Sequence, residues 1–283
     1  MSKKDPKITV VTCTYNSEKF LEKCLKSIEI QTYKNIEHVI NDSYSTDKTL
    51  KIIEKYIKKH KRKKDYEIKF FQSPPKSVGN ALNTATKRAT GDIIHYLHSD
   101  DYYLDNKSLQ RAVDYFNKNP DKVWVTGNFL IQAKGRKIII PQSYILRVAP
   151  KRALSVMNII HHENTFVKTN MIRKYGGFNE EKGLVVEYSL WLKMIKDHKP
   201  LVVDDQFTVF IIHKGSTSTG DIYKFSKAVL RAFKTQRKEK VIPLIGNYED
   251  VILYKEFITI VKSVKKLNKL VDFNQFLNND NKN

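Results

Sequence analysis

Asp100 and Asp101 close an apolar run, Ile93-Ile94-His95-Tyr96-Leu97-His98-Ser99. A buried strand that ends in adjacent carboxylates carries negative charge to the carboxyl edge of a sheet, and in open α/β sheets that edge is where ligands bind. Carboxylate oxygens are hard ligands suited to Mg²⁺ or Mn²⁺, metals that commonly arrive with a phosphate-bearing molecule. Asp is also favoured in turns and at helix N-caps, so the pair alone leaves both readings open. Two more polar clusters, Thr12-Cys13-Thr14-Tyr15-Asn16 and Asp42 to Asp47, follow apolar runs in the same way. Tyr15 offers a ring face on which a base could stack. Asp42 could accept from a base N–H or a ribose hydroxyl. The ordinary alternatives are a half-buried loop aromatic and a turn aspartate.

The elements that must position these groups are legible. Residues 7–14 are rich in β-branched side chains and read as a buried strand. Asn16 or Ser17 caps the helix that follows, whose apolar face is Phe20, Leu21, Cys24, Leu25 and Ile28. A second strand covers 36–40. Ser45 or Thr46 caps a second helix, with Leu50, Ile53 and Ile57 on one stripe. A third strand spans 67–71. A third helix runs from Val78 to Ala89 and is stopped by Gly91 as its C′ residue. The fourth strand is the one that ends at Asp100. This alternation predicts a mostly parallel central sheet flanked by helices, and right-handed crossovers put all four strand ends on one edge.

After residue 120 the pattern loosens. Strands are expected at 122–126, 136–140, 201–204 and 207–212, and a helix near 150–157. His161-His162-Glu163-Asn164 forms another polar group, Gly176-Gly177 breaks the chain, and Glu187 opens an amphipathic helix. His213 follows the last strand. From Asp221 onward the chain reads as helical and basic. The division drawn is a catalytic domain at 1–218, with halves at about 1–128 and 129–218, and a helical C-terminal extension at 219–283.

Lys and Arg total 51 against 30 Asp and Glu, a net charge of +21 over 283 residues. That balance suits polyanions, anionic membrane surfaces or phosphorylated small molecules. Two cysteines make no disulfide framework and show no zinc-type spacing, which points to a reducing compartment. No run approaches the ~20 apolar residues of a membrane span. The expected location is therefore cytoplasmic or peripheral, with Asn41 unglycosylated. In the C-terminal piece, Val251, Ile252, Tyr254, Ile258, Val261, Val264 and Leu267 form a stripe bordered by Lys255, Lys262, Lys265, Lys266 and Lys269. Packing on the catalytic domain is the favoured reading of that stripe, and contact with an anionic membrane is the alternative.

No G-x-G-x-x-G follows the first strand and no G-x-x-x-x-G-K-[ST] occurs, which disfavours dinucleotide and P-loop sites. Instead, Val10 to Leu21, Gln31-Thr32-Tyr33 and Asn41 to Asp47 resemble the start of the family 2 glycosyltransferases. Ala81-Leu82-Asn83, Ala89 to Ile94 and Leu97 to Asp101 continue the resemblance. So do His161 to Phe166, Gly176 to Glu180 and Val186 to Leu192, out to about residue 218. The resemblance implies a GT-A fold, a nucleotide-sugar donor (usually a UDP-sugar), a divalent metal (Mn²⁺ or Mg²⁺), and inversion at the anomeric carbon. The implied acceptor is a glycan, glycolipid or protein hydroxyl, and no nucleic acid is expected.

Carried over by position, Thr12, Cys13, Thr14, Tyr15, Asn16, Asp42, Asn83 and Asp100 would hold the nucleotide-sugar. Asp101 would ligate the metal with His213 as a further ligand, and Glu187 would be the catalytic carboxylate. Surface readings stand beside His213 and beside the diphosphate candidates Lys76, Arg136 and Lys214. A first-turn helix acid is the plain alternative for Glu187. A zinc site at His161, His162 and Glu163 ranks low because no i, i+4 histidine pair is present. Trp191 is read as core.

Departures from the family pattern are His98 for Asp or Asn, Ser43-Tyr44 for a glycine-rich turn, Lys48 for Gly, Leu82 for Arg, and Val186 for an acid. They leave a non-catalytic relative as one alternative. A sugar nucleotidyltransferase would need a Gly-rich, basic loop after the first strand, which Cys13-Thr14-Tyr15-Asn16 is not. A basic nucleic-acid-binding protein is the other rival, permitted by charge but lacking any recognised module.

Overall fold

A computed structural model describes residues 5–63, 66–133, 136–142, 144–156, 158–181 and 185–213, together with residues 235, 238 and 239. The apolar stripe expected at 251–267 and Lys214 lie outside the described residues. The first half alternates strand and helix. β1 (Ile8–Thr14), α1 (Leu21–Glu29), β2 (Ile36–Asp42), α2 (Thr49–Lys63), β3 (Glu67–Gln72), α3 (Val78–Thr86) and β4 (Ile93–Tyr96) follow in order. The two-residue β5 (Tyr102–Tyr103) and α4 (Ser108–Lys118) come next. The second half runs β6 (Trp124–Thr126), β7 (Phe129–Ala133), β8 (Arg136–Ile140), α5 (Tyr144–Val148) and α6 (Pro150–Val156). It ends with β9 (Thr165–Lys168), α7 (Thr169–Lys174), α8 (Tyr188–Met194), β10 (Leu201–Val202) and β11 (Thr208–Ile211).

Seven strands form the central sheet in the order β10-β6-β9-β4-β1-β2-β3. β4, β1, β2 and β3 are mutually parallel, as expected, and β9 is inserted antiparallel between β4 and β6. Both faces are covered. Ile8 and Val10 pack with Cys24, Ile28, Leu109 and Phe116 on one side. Val11 and Ile94 pack with Leu82, Trp124, Trp191 and Leu192 on the other. This two-sided burial is why β1 reads as a continuous apolar run rather than an alternating one. Trp191 is core as expected, stacked on Trp124 at 5.3 Å between ring centres.

A second sheet, β5-β11-β7-β8, was not foreseen. The β9 segment was missed because its partners β4 and β6 are distant in sequence, and β7, although it pairs with the adjacent β8, is only five residues long. β11 pairs parallel with β7 and antiparallel with β5, which draws the last strand back to the end of the Asp100-Asp101 turn.

Three caps differ from expectation. Asn16 and Ser17 do not cap α1, which begins four residues after Ser17. They serve the loop instead, with the Asn16 carboxamide accepting from Thr46 N at 2.9 Å and the Ser17 and Ser99 hydroxyls 2.8 Å apart. Ser45 gives its hydroxyl to Asp42, leaving Asp47 to accept from Thr49 N at 2.9 Å at the start of α2. α3 is capped by Ser77 and stops at Thr86, so Gly91 is not its C′ residue. Gly91 is required by proximity: a Cβ there would stand 2.6 Å from Thr9 Oγ1 and 2.7 Å from Thr9 N.

Candidate active site

The β1 and β2 tips are locked by register. Thr14 lies beside Asp42 across the parallel ladder. The Thr14 hydroxyl donates to Asp42 Oδ1 at 2.8 Å, and the Ser45 hydroxyl donates to the same oxygen at 2.5 Å. Ser45 N and Gln72 Nε2 donate to Oδ2 at 2.9 and 3.0 Å. Asp42 is thus buried, held by four donors, and oriented at the floor of the strand edge. Asn16 stands in the left-handed region, with φ +48°, and its N–H donates to Ser45 Oγ. This stitches the β1 loop to the β2 loop. Tyr15 sits at the loop tip with 60% of its surface exposed. The Cys13 thiol is pushed up to about 12 by burial, so it stays protonated and is no nucleophile.

Two candidates are drawn away from this edge. Thr12 is buried and its hydroxyl meets His38 Nε2 at 3.0 Å. Asn83 clamps the Gly176-Gly177 turn: its carboxamide accepts from Phe178 N and donates to Phe178 O and Glu180. Both glycines of that turn have positive φ, as a double-glycine break requires.

The β4–β5 turn delivers the acidic pair. His213 Nε2 lies 2.9 Å from Asp100 Oδ2, with its ring 4.3 Å from that of Phe20. His213 is therefore brought to Asp100 rather than to Asp101. Asp101 is 1% exposed. Its Oδ1 accepts from Ile211 N at 3.0 Å, while its buried Oδ2 has no hydrogen-bond partner among the described residues. Burial, then the negative charges of Asp100 and Glu163, hold the Asp101 pKa well above the usual carboxylate range. A fixed carboxylate oxygen without a donor is a costly arrangement for the chain alone. Placing a hard cation against that oxygen removes the cost, so the residues present fit a divalent metal.

The second half supplies the opposite wall. His161 is stacked flat on Phe129 at 3.8 Å. His162 and Glu163 turn inward on a short 3₁₀ turn, His162–Asn164. That turn is pinned by His95 Nε2–H and the Thr208 hydroxyl, both donating to Glu163 O. His162 Nε2 meets His98 Nε2 at 2.5 Å. Burial lowers the pKa of both rings and raises that of Glu163. Glu187 stands at the N-terminus of α8. Its Oε1 accepts from Asn158 Nδ2 at 2.7 Å, and its Oε2 lies 3.9 Å from His162 Nδ1. Sequence reasoning did not anticipate Asn158 or the His98–His162 pairing. The two histidines are far apart in the chain, and only the antiparallel insertion of β9 beside β4 joins them.

The sequence pattern described as Glycosyl transferase family 2 matches residues 9–179, more than half of the chain. The chain belongs to this glycosyltransferase family. Chondroitin synthase of Escherichia coli is 30% identical over 195 residues, covering 68% of this chain and 27% of that protein. The poly(ribitol-phosphate) beta-N-acetylglucosaminyltransferase TarS of Staphylococcus aureus strain MW2 is 29% identical over 175 residues, covering 59% of this chain and 29% of TarS. The chain therefore spans under a third of either relative. Among solved structures, S. aureus TarS 1–349 with UDP-GlcNAc superimposes with a TM-score of 0.64 at 21% identity, covering 89% of this chain and 71% of that one. Mannosyltransferase PcManGT from Pyrobaculum calidifontis, with GDP-Man and Mn²⁺, gives 0.59 at 18% identity, covering 96% and 83%. At these identities the structural likeness establishes the fold, a mostly parallel α/β sheet flanked by helices, as the sequence led one to expect.

Proposed function

We propose that this family 2 chain transfers a sugar, with inversion, from a nucleoside diphosphate donor to an acceptor hydroxyl, and that the donor is a UDP-sugar. The observation that supports this reading is a run of contacts from the β1 tip to the opposite wall: Ser17 meets Ser99 beside the Asp100-Asp101 turn, His98 meets His162, and His162 Nδ1 lies 3.9 Å from Glu187. The UDP-GlcNAc and GDP-Man complexes of the structural neighbours support a nucleotide-sugar donor, and the Mn²⁺ in one of them supports a metal.

In this reading Tyr15 stacks on the base. Asp42, buried and held by its four donors, fixes the β1 and β2 loops that flank the base. Cys13, Thr14 and Asn16 shape the backbone around them. Asp101 and Asp100 would hold the cation, with His213 at 2.9 Å orienting Asp100. When bound, the cation offsets charge on the departing diphosphate by several kcal/mol. Glu187 takes the proton of the acceptor hydroxyl, because a sugar hydroxyl is a poor nucleophile until that proton is accepted. Asn158 holds the other Glu187 oxygen and so aims the accepting one. Attack from the face opposite the diphosphate inverts the anomeric carbon without a covalent enzyme intermediate.

Catalysis is assigned to residues 1–218, and the acceptor to a glycan, glycolipid or protein. No helix among the described residues is long and apolar enough to cross a membrane. The location in this reading is cytoplasmic, and the net charge of +21 supports peripheral contact at an anionic surface. The test is UDP release from a set of UDP-sugars with Mn²⁺, comparing wild type with Asp101→Ala. Loss of release in the variant supports the reading, and equal turnover refutes the metal role of Asp101.

A further inference from the structure

We propose that His98, His162 and Glu163 form a second cation site, suited to a borderline transition metal such as Zn²⁺ and separate from the cation assigned to Asp101. The inference does not rest on the identity of the donor sugar.

Three observations carry it. The first is convergence. One ligand atom from each of these residues lies within 4.8 Å of the other two. His98 Nε2 is 2.5 Å from His162 Nε2 and 3.9 Å from Glu163 Oε1. Two imidazole nitrogens this close share a proton in the metal-free chain, and a metal ion would take the place of that proton. A Zn²⁺ at about 2.0–2.1 Å from each in tetrahedral geometry would set them about 3.4 Å apart, so the rings need part by only about an ångström.

The second is unmet demand. His162 and Glu163 are buried, and Glu163 Oε2 and His162 Nδ1 have no hydrogen-bond partner among the described residues. A buried carboxylate is retained when it is paired or holds a metal. His95 and Thr208 already fix the Glu163 backbone, so the side chain is placed rather than free to leave.

The third is donor chemistry. Two neutral imidazoles and one carboxylate form a set that leaves a fourth position open, as three-ligand zinc sites do. The set disfavours Mg²⁺, which prefers oxygen throughout. Glu187 Oε2 stands 3.9 Å from His162 Nδ1, beyond hydrogen-bond reach, so no carboxylate yet orients the ring from behind. The site uses His98 and leaves out His161, which is stacked on Phe129.

The test uses tag-free, metal-stripped full-length protein without nucleotide, titrated with Zn²⁺ and, separately, with Co²⁺. The readouts are bound metal per chain and the visible absorption of four-coordinate Co²⁺. The expected result is one Zn²⁺ per chain and the Co²⁺ spectrum, both retained in Asp101→Asn. Affinity should fall at least about tenfold in Glu163→Gln and in His98→Asn, a change of ~1.4 kcal/mol or more. The near-isosteric Glu163→Gln guards against a folding artefact, with far-UV circular dichroism as the check. No Zn²⁺ on folded wild type, unchanged affinity in both variants, or loss of binding in Asp101→Asn would each overturn the proposal.

Discussion

Acidification should unfold this protein through His38 and His95 before its carboxylates titrate. Both rings are buried within the central sheet. His38 lies between the hydroxyls of Tyr56 and Thr12, each at 3.0 Å. His95 stacks on Phe166 and donates from Nε2 to Glu163 O, which leaves Nδ1 to accept from the Tyr103 hydroxyl. Burial lowers each pKa from 6.5 to about 3. Between those values the unfolded chain binds a proton at each site that the native state does not, so stability rises with pH and falls as pH drops below 6.5.

At pH 5, about 1.5 units below the unfolded value, each ring costs about 2 kcal/mol, and the pair costs about 4. Against a typical total of roughly 5–15 kcal/mol this is a large loss. The assay is urea unfolding between about pH 7.5 and pH 5, comparing wild type with the double variant His38→Gln, His95→Gln. His98, His161 and His162 also have pKa values lowered by burial and add to the wild-type slope, so the difference between the two proteins isolates the pair. The double variant should be less stable at neutral pH but lose about 4 kcal/mol less on acidification. Parallel losses in the two proteins would refute the claim that these rings are buried neutral.

Two further outcomes are expected. Glu37 is buried under Lys69 at 2.8 Å and Lys7 at 3.1 Å, and it accepts from Thr9, Thr90 and Gly91. Burial alone would raise its pKa, but Lys69 and the threonine donors outweigh burial and hold it well below 4.5. Its contribution is therefore present above about pH 4.5 and lost below it, and Glu37→Gln should lower unfolding stability by about 3 kcal/mol at neutral pH, read by urea titration. Glu187→Gln should reduce turnover roughly 10²–10⁴-fold while leaving nucleotide affinity unchanged, read by product release and calorimetry on the same preparation.

The parallel half of the fold was legible because β1, β2 and β4 are buried on both faces, which keeps them rich in β-branched and apolar residues even where Glu37, His38 and His95 interrupt. The polar tips of those runs marked the site edge for the same reason: at the carboxyl ends of the strands, side chains no longer need to be apolar. The capping residues misled because Asn16, Ser17 and Ser45 are chemically able to cap, yet their hydrogen-bonding groups are used between loops distant in sequence. β9 was illegible because a short strand gains its stability from distant partners, such as Phe166 beside Val125. Asn83 lay in a recognised motif, but nothing local tells that its carboxamide closes on Phe178, which is remote in the chain. His161 and His162 are neighbours with the same chemistry. Only the packing of Phe129 against one and His98 against the other separates them.

The central claim is that the tips of β1, β2 and β4 form one pocket for a nucleoside diphosphate and its cation. Calorimetric titration of UDP into the full-length protein, with and without Mn²⁺, tests it most directly. UDP should bind, Mn²⁺ should tighten binding at least about tenfold, ~1.4 kcal/mol or more, and Asp101→Ala should abolish that gain. Absence of UDP binding to folded wild-type protein in the presence of Mn²⁺, or an Mn²⁺ gain that survives in Asp101→Ala, would contradict it.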